Sequence, residues 1–192
     1  MEFSKFIETA PEEIKDYLEK CRKTPQSPTW HPEGDVLKHT KIVFSRAAKT
    51  GDINYMFAAI FHDLGKTEST KLNKRGSWSS YGHEFISARL VIKHKDWISS
   101  QGADVDLVHD LVISHMKIKM MDEMRKPKQE EFKAKPNYEK IKEFSSFDNM
   151  KTLTPEELSL EFFISFVFLL PSVRHGRGFF VSPYPRLFFL NK

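Results

Sequence analysis

Apolar residues recur at helical spacing along most of the chain, and this pattern restricts the fold more than any other feature. Val36, Val43 and Ala47 lie on one face of a predicted helix that runs from about residue 35 to residue 49. Strand signals are scarce, and the chain has no internal repeat. The sequence therefore predicts an all-α fold with short connections between its helices.

Capping residues set the predicted boundaries of these helices. Gly51 ends the helix at 35–49, and Asp52 is placed to cap the next one. Gly65 is predicted to stop that helix. Loops are predicted at 25–34 and 67–80, with a longer excursion at 119–136. Other helices are predicted from Pro11 onward and at 53–64, 82–99, 104–118 and 137–151.

The end of the chain differs in kind from the rest. The segment "TPEE" at 154–157 is a capping box that predicts a helix to about Leu170. Residues 171–192 show no clear hydrophobic period, and no acidic residue follows Glu161. This segment has three interpretations: an irregular packed tail, a cover for an oligomer interface, or a sequence of unrelated origin such as a shifted reading frame. The predicted organisation is an N-terminal helix in 1–27, a domain at 28–170 and an aromatic, basic tail at 171–192.

Composition limits the class of protein. The 192 residues are enough for one domain with a real core. The single cysteine, Cys21, excludes an internal disulfide framework and multi-cysteine zinc sites. The net charge of +4 suits an anionic substrate or nucleic acid, although it also fits a solvated helical surface. The N-terminus lacks a secretory signal. The longest apolar run, Phe162 to Leu170, is too short to span a bilayer. We therefore expect a cytoplasmic protein.

An adjacent histidine and aspartate stand at the end of an apolar segment, in "FHDLGK" (61–66). His62 follows two small residues, Ala58 and Ala59, which leave space on its helix face. Lys66 lies three residues after Asp63 and can aim its ammonium into the same space. A second pair, His109–Asp110, is surrounded by core residues and has no basic partner, so it is interpreted as a pair on a helix surface.

Other histidines and an aspartate fall on inward helix positions, which gives a set of metal-ligand type. Each one alone could be a hydrogen-bonded core residue, yet burying the whole set without a metal ion is costly. Imidazoles mixed with carboxylates suit Mn, Fe, Co, Ni or Zn better than Mg. Asp63 is the natural bridge if two ions are present. The set consists of His39, His62, Asp63, His83, His115 and Asp148.

The order of these residues resembles the H…HD…D signature of the HD-domain metal-dependent phosphohydrolases. "WHPEGDVLKHT" (30–40), "HDLGK" (62–66) and "GHEFISA" (82–88) are similar to the HD domain of bacterial CCA-adding tRNA nucleotidyltransferases, over about residues 28–150. Only about 27 residues precede the likeness, so we expect a stand-alone HD protein that lacks the nucleotidyltransferase domain.

The resemblance implies a bundle of about five core helices around one or two divalent metal ions. It implies that His39, His62, Asp63 and Asp148 bind the first ion, and that Asp63, His83 and His115 bind a second. Lys66 would hold a phosphate oxygen, which makes Asp63 and Lys66 the catalytic pair. Hydroxide formed on the metal would attack a nucleotide-type phosphomonoester or a cyclic phosphodiester.

Several alternatives stay open. His83 and His115 match the extra histidines of two-metal HD proteins, some of which are di-iron oxygenases of a small phosphonate or polyol. A non-catalytic nucleotide-binding module is the third class. Arg75 and Lys74 are either a mobile cover for the substrate or solvated loop charges. Trp30 and Trp78 either stack a base or pack in the ordinary way. The expected partners are a small phosphorylated substrate such as a nucleotide, with RNA and a second copy of the chain as further candidates.

Overall fold

Helices build the computed structural model of the protein, which describes residues 1–157. This part confirms the predicted all-α class; its two strands form a small antiparallel hairpin, β1 (Lys71–Leu72) and β2 (Trp78–Ser79). The ten helices of the described residues are α1 (Phe3–Ile7), α2 (Glu12–Arg22), α3 (Val36–Thr50), α4 (Ile53–Phe61), α5 (Lys66–Ser69), α6 (His83–Lys93), α7 (Lys95–Ser100), α8 (Val105–Lys119), α9 (Lys126–Lys133) and α10 (Tyr138–Phe147).

Local hydrogen bonds explain where the central helices begin and end. The Asp35 carboxylate caps α3 by accepting from the backbone N–H of Lys38 at 3.0 Å. Gly51 ends α3 with a φ of +76°, a left-handed conformation that glycine adopts without strain. Asp52 then caps α4 by accepting from the N–H of Asn54 at 2.8 Å. These three predicted boundaries are confirmed.

Some segments differ from the prediction. The helix predicted at 82–99 is two helices, because the backbone of His94 leaves the helical region and its Nε2 lies 3.1 Å from Glu13 Oε2 on α2. The predicted loop at 67–80 contains the hairpin. Its turn is closed by Asn73, whose side chain accepts from the N–H groups of Arg75 and Ser77. The excursion at 119–136 contains α9, which starts with a proline in its first turn.

Five helices enclose the centre of the fold, as predicted. α8 packs against α4, α6 and α10, and α3 packs against α4. Large side chains fill the space between them, and Phe44, Phe57, Phe61, Phe144 and Ile141 are almost fully buried. Each such side chain contributes about 1.5–3 kcal/mol by leaving water. These five helices or their ends carry all the predicted metal-site residues.

The N-terminal helices join the same core. Phe6 of α1 makes edge contacts with Phe44 and Phe57, at ring-centroid distances of 5.1 and 4.9 Å. Ile14 and Cys21 of α2 are completely buried, and Cys21 is a free cysteine. The first 27 residues therefore help to form the interior that surrounds α3.

The described chain ends in the predicted capping box. Thr154 Oγ1 accepts from the N–H of Glu157 at 3.2 Å, and Glu157 Oε2 accepts from the N–H of Thr154 at 3.0 Å. The predicted extension of this helix to Leu170 and the tail at 171–192 lie outside the described residues. Within residues 1–157, no helix has the length and apolar character needed to cross a bilayer.

Candidate metal centre

Six histidine and aspartate side chains converge at the middle of the helix bundle, and all are at most 4% exposed. They come from five separate parts of the chain, so tertiary packing alone brings them together. They are His39 on α3, His62 and Asp63 just after α4, His83 at the start of α6, His115 on α8 and Asp148 just after α10.

The first group of three consists of His39, His62 and Asp148. The Nε2 atoms of His39 and His62 lie 3.2 Å apart. Asp148 Oδ1 lies 2.9 Å from His39 Nε2. Three ligand atoms thus face one point, which could hold a metal ion.

The second group of three consists of Asp63, His83 and His115. The Nε2 atoms of the two histidines are 3.1 Å apart, and Asp63 Oδ1 lies 3.1 Å from His83 Nε2 and 3.9 Å from His115 Nε2. This group could also hold an ion.

Asp63 faces both groups with its two oxygens. Its Oδ2 lies 3.3 Å from the Nε2 atoms of His39 and His62, whereas its Oδ1 is directed to His83. Neither oxygen makes a hydrogen bond of regular geometry with the protein, although both are buried. A buried carboxylate in this state needs cations around it.

The outer nitrogens of the histidines fix their tautomers. Nδ1 of His62 donates to the Ala59 carbonyl at 2.9 Å, Nδ1 of His83 to Ser80 at 2.7 Å and Nδ1 of His115 to Val112 at 2.6 Å. A carbonyl oxygen only accepts, so each Nδ1 carries a hydrogen and each neutral ring presents a bare Nε2 to the interior. Metal-binding histidines are oriented in this way by their outer partners.

In these tautomers, Nε2 of His83 and Nε2 of His115 lie 3.1 Å apart, and their lone pairs face each other. A proton on one ring or a shared metal ion removes the resulting repulsion. Burial, followed by the charges of His83 and His62, holds the pKa of His115 well below its usual value, which keeps that ring neutral. Nitrogen and carboxylate donors in this proportion fit Mn, Fe, Co, Ni or Zn.

His39 has a carboxylate as its outer partner. Its Nδ1 lies 2.8 Å from Glu33 Oε1, and His31 Nδ1 lies 2.8 Å from the same oxygen. Burial raises the pKa of Glu33, but the hydrogen bonds from His31 and His39 outweigh it and bring the pKa to about 2. Burial also lowers the pKa of His39, yet its bonds to Asp148 and Glu33 raise it above the usual value.

Two lysines lie against the two aspartates. Lys66 Nζ is 2.8 Å from Asp63 Oδ2 and donates to Gln26 Oε1 at 2.8 Å. Lys119 Nζ is 2.6 Å from Asp148 Oδ2. Burial raises the pKa of each aspartate, but His62 and Lys66 lower that of Asp63 well below its usual value, and Lys119 and His39 do the same for Asp148. Both carboxylates are therefore ionised and ready to bind a cation.

An open cavity of about 880 Å³ leads from this centre to the surface. Its wall is lined by four of the six metal-centre residues and by Lys66; the four are Asp63, His83, His115 and Asp148. Trp30 also lies in the wall and is 65% exposed. An aromatic ring so exposed beside a polar centre is available to contact a ligand.

Arg75, the other predicted substrate-binding residue, does not line this cavity. It lies in the turn of the hairpin, where it borders a separate small pocket with Asn73, Lys74 and Tyr81. The hairpin carries Trp78 to the cavity wall instead. The direction of this loop depends on the pairing of Lys71–Leu72 with Trp78–Ser79. The sequence pattern did not indicate this pairing, so the position of Arg75 was predicted wrongly.

Gly65 has a different role from the predicted one. α4 ends at Phe61, and Gly65 has an ordinary φ of −63°. A Cβ atom at this position would lie 2.2 Å from the carbonyl oxygen of His83 and 2.8 Å from Ile86 Cβ. Glycine therefore allows the turn after His62 and Asp63 to approach α6 closely, which brings Asp63 next to His83.

Three residues at this centre were not singled out by the sequence, namely Gln26, Glu33 and Lys119. Gln26 and Glu33 lie in the loop before α3, where no periodicity indicates a direction. Lys119 had a readable signal, because it lies four residues after His115 on α8 and therefore on the same face. The pair His109–Asp110 lies away from the centre as predicted, but the expectation that it has no basic partner is wrong. The Asp110 carboxylate accepts from Lys135 at 3.1 Å and from Asn137 at 3.2 Å.

Comparison with known proteins gives a consistent result. The sequence profile described as "HD domain" matches residues 36–150. A "Multifunctional CCA protein" of Thioalkalivibrio sulfidiphilus is 40% identical over 77 residues, which cover 38% of this chain and 18% of that protein. A protein of the same name from Methylococcus capsulatus is 42% identical over 69 residues, 35% of this chain and 15% of that protein. The chain thus spans less than a fifth of either relative. No solved structure matches significantly.

Proposed function

The chain belongs to the HD-domain family, and we propose that it hydrolyses a nucleotide-type phosphomonoester or cyclic phosphodiester with the help of divalent metal ions. The family indicates metal-dependent phosphohydrolase chemistry. We propose the ligand set and the substrate class as well. They rest on the geometry of the buried centre and on the residues that line the cavity above it.

One observation carries the proposal: Asp63 directs one oxygen to each of the two groups of ligand atoms. Its Oδ2 lies 3.3 Å from His39 and His62, and its Oδ1 lies 3.1 Å from His83. We assign His39, His62, Asp63 and Asp148 to the first ion and Asp63, His83 and His115 to the second. Mn, Fe, Co, Ni or Zn suits these donors better than Mg.

Bound divalent ions would supply an acidified water as the nucleophile and positive charge on the phosphate oxygens. Asp63 would hold the two sites at a fixed separation. Lys66 has no ligating lone pair while protonated, so its ammonium would bind the substrate phosphate. Gln26 holds this ammonium in place by accepting one of its hydrogens at 2.8 Å.

The cavity supports a substrate with an aromatic part next to its phosphate. Trp30 is exposed on the wall, and Trp78 lies on the same cavity. A nucleobase can stack on either ring. The similarity to multifunctional CCA proteins favours a nucleotide or the end of an RNA over other phosphate esters.

The proposal is tested by metal removal and reconstitution. The protein is stripped with a chelator and reloaded with Mn²⁺, Co²⁺, Ni²⁺, Zn²⁺, Fe²⁺ or Mg²⁺. Release of phosphate or of the ring-opened product is then measured with nucleoside 3′-monophosphates and 2′,3′-cyclic phosphates. We expect turnover with one or more transition ions, two ions bound per chain, and neither turnover nor two-ion binding in Asp63→Ala. Failure to bind any metal in the folded wild type would refute the proposal.

The same donor set also fits two iron ions, because four imidazoles and a shared carboxylate suit Fe as well as Mn. The oxygenase alternative therefore has a direct test. Protein reconstituted with Fe²⁺ is supplied with small phosphonates and polyols, and oxygen consumption is recorded. Substrate-dependent oxygen uptake together with the absence of phosphate release under anaerobic conditions would favour the oxygenase.

A further inference from the structure

Lys119 lies at the cavity wall with its ammonium directed at the metal centre. Its Nζ is 2.6 Å from Asp148 Oδ2, and its side chain is 36% exposed. We propose that Lys119 binds substrate and, together with Lys66, makes the site select a terminal phosphate with two negative charges over a singly charged diester. This inference rests on the proposed phosphohydrolase function and narrows its substrate class.

The two lysines occupy equivalent positions around one ligand group. Lys66 contacts the Oδ2 atom of Asp63, and Lys119 contacts the Oδ2 atom of Asp148. Both aspartates in turn approach the same atom, His39 Nε2, at 3.3 and 2.9 Å. A phosphate bound at this group would therefore meet an ammonium beside each carboxylate.

Hydrogen-bond capacity distinguishes the two ammonium groups. Lys66 is 8% exposed and has two partners, Asp63 and Gln26. Lys119 has three N–H donors and one partner at the centre, Asp148, and its side chain is part of the cavity wall. It can keep its ion pair with Asp148 and still donate to a phosphate oxygen.

The charge of the cavity favours the more highly charged anion. Near the metal centre the cavity wall carries two lysines and two aspartates, which pair as Lys66 with Asp63 and Lys119 with Asp148. The two ammonium groups at the centre already balance the two carboxylates, so divalent ions would leave a strong positive excess. A dianionic terminal phosphate gains more from this field than a monoanionic diester does.

A purely structural role for Lys119 makes a different prediction. If Lys119 only neutralises Asp148, its loss changes metal affinity and stability but affects both classes of ester alike. If Lys119 contacts substrate, its loss lowers the preference for the dianion itself. The ratio of the two activities therefore separates the two roles.

The test compares wild type with Lys119→Met on p-nitrophenyl phosphate and bis(p-nitrophenyl) phosphate, which share one leaving group. We expect the wild type to prefer the monoester. In Lys119→Met, kcat/KM for the monoester should fall about 10- to 100-fold, the range for one charge-assisted hydrogen bond, while kcat/KM for the diester changes much less. Lys142→Met is the matched control, because Lys142 lines the same cavity but pairs with Glu139 at 3.7 Å.

A second measurement does not depend on turnover. Binding of inorganic phosphate to the Mn²⁺-loaded proteins is measured by calorimetry, together with the number of metal ions bound. We expect Lys119→Met to keep its metal ions and to bind phosphate about 10-fold more weakly or worse, unlike Lys142→Met. An equal loss for both esters, a wild type that prefers the diester, or unchanged phosphate binding would overturn the assignment of Lys119. A wild type that binds metal and phosphate yet cleaves neither ester would count against the proposed hydrolase instead.

Discussion

The Arg46 guanidinium holds the Glu157 carboxylate with two contacts of 2.7 Å, from Nε to Oε1 and from Nη2 to Oε2. The same guanidinium donates through Nη1 to the carbonyls of Phe147 at 2.8 Å and Asn149 at 2.9 Å. These two carbonyls flank Asp148. Arg46 on α3 therefore fastens the segment that carries Asp148 to the helix that carries His39.

Replacing Arg46 should destabilise the fold. Arg46→Met removes the cation that pairs with a nearly buried carboxylate, and loss of one member of a buried pair costs about 3–5 kcal/mol. The free energy of unfolding is measured by denaturant titration. Lys128→Gln is the control, because Lys128 and Glu131 form an exposed pair and its loss should cost no more than about 1 kcal/mol. Similar losses in the two variants would contradict the role of Arg46.

Glu157 gives the protein a stabilising interaction that depends on pH. Its hydrogen bond from Arg46 lowers the pKa of Glu157 below its usual value, against the effect of burial. A lowered folded-state pKa adds stability above the unfolded pKa of about 4.3, and this stability is lost as the pH falls through the folded value. The difference in unfolding free energy between wild type and Glu157→Gln should thus be largest near neutral pH. It should shrink when the pH falls below about 4. A difference that stays constant down to acid pH would rule out this linkage.

Much of the fold follows from local signals that the sequence carries. Asp35, Gly51 and Asp52 act within a few residues of their own position, so their caps were predictable. The inward positions of His39 and His115 follow from helical periodicity, and both side chains are buried. Whether they bind metal stays a prediction that the experiments above address.

The rest depends on contacts between distant parts of the chain. The spacing from His115 places Lys119 on the inward face of α8, but its contact with Asp148 depends on the packing of α8 against α10. Glu33 lies in a loop, so its approach to His39 depends on the path of the whole segment before α3. His94 breaks a helix whose local pattern continues, and Glu13 on α2 is its partner.

Glu33 should influence metal affinity without touching the metal. Its Oε1 accepts from both His31 and His39, so it orients the His39 ring. Glu33→Gln keeps the size but removes the charge, and loss of such an outer partner typically costs about 10- to 100-fold in metal affinity. Mn²⁺ and Co²⁺ affinities are measured by calorimetry. Glu68→Gln, which alters a carboxylate bound to Tyr17, is the control and should leave metal affinity unchanged.

Removal of residues 171–192 should leave the metal centre intact. All the proposed ligands lie at or before Asp148, and the capping box that ends the described chain is complete at Glu157. We expect the truncated protein to bind the same number of metal ions, although its solubility can change because phenylalanine pairs are removed. A folded truncation that has lost its metal would show that the tail contributes to the centre.

Lys66 should bind substrate rather than metal. Its ammonium contacts Asp63 and Gln26, and Lys66→Met keeps the apolar stem while removing the charge. Metal occupancy should stay complete, because the loss of a nearby positive charge does not disfavour a cation. Transition-state stabilisation should fall by roughly 2–4 kcal/mol, the range for one preorganised electrostatic group.

This loss should appear in kcat as well as in KM, because the charge on the transferred phosphoryl group changes as the reaction proceeds. Steady-state kinetics on the best phosphate ester measure it, and bound metal is quantified in the same samples. Lys74→Met is the control, since Lys74 lies in the hairpin turn outside the main cavity. A Lys66→Met protein with unchanged kcat/KM would remove Lys66 from the site. That result would also weaken the case for a phosphate substrate and make the oxygenase the better candidate.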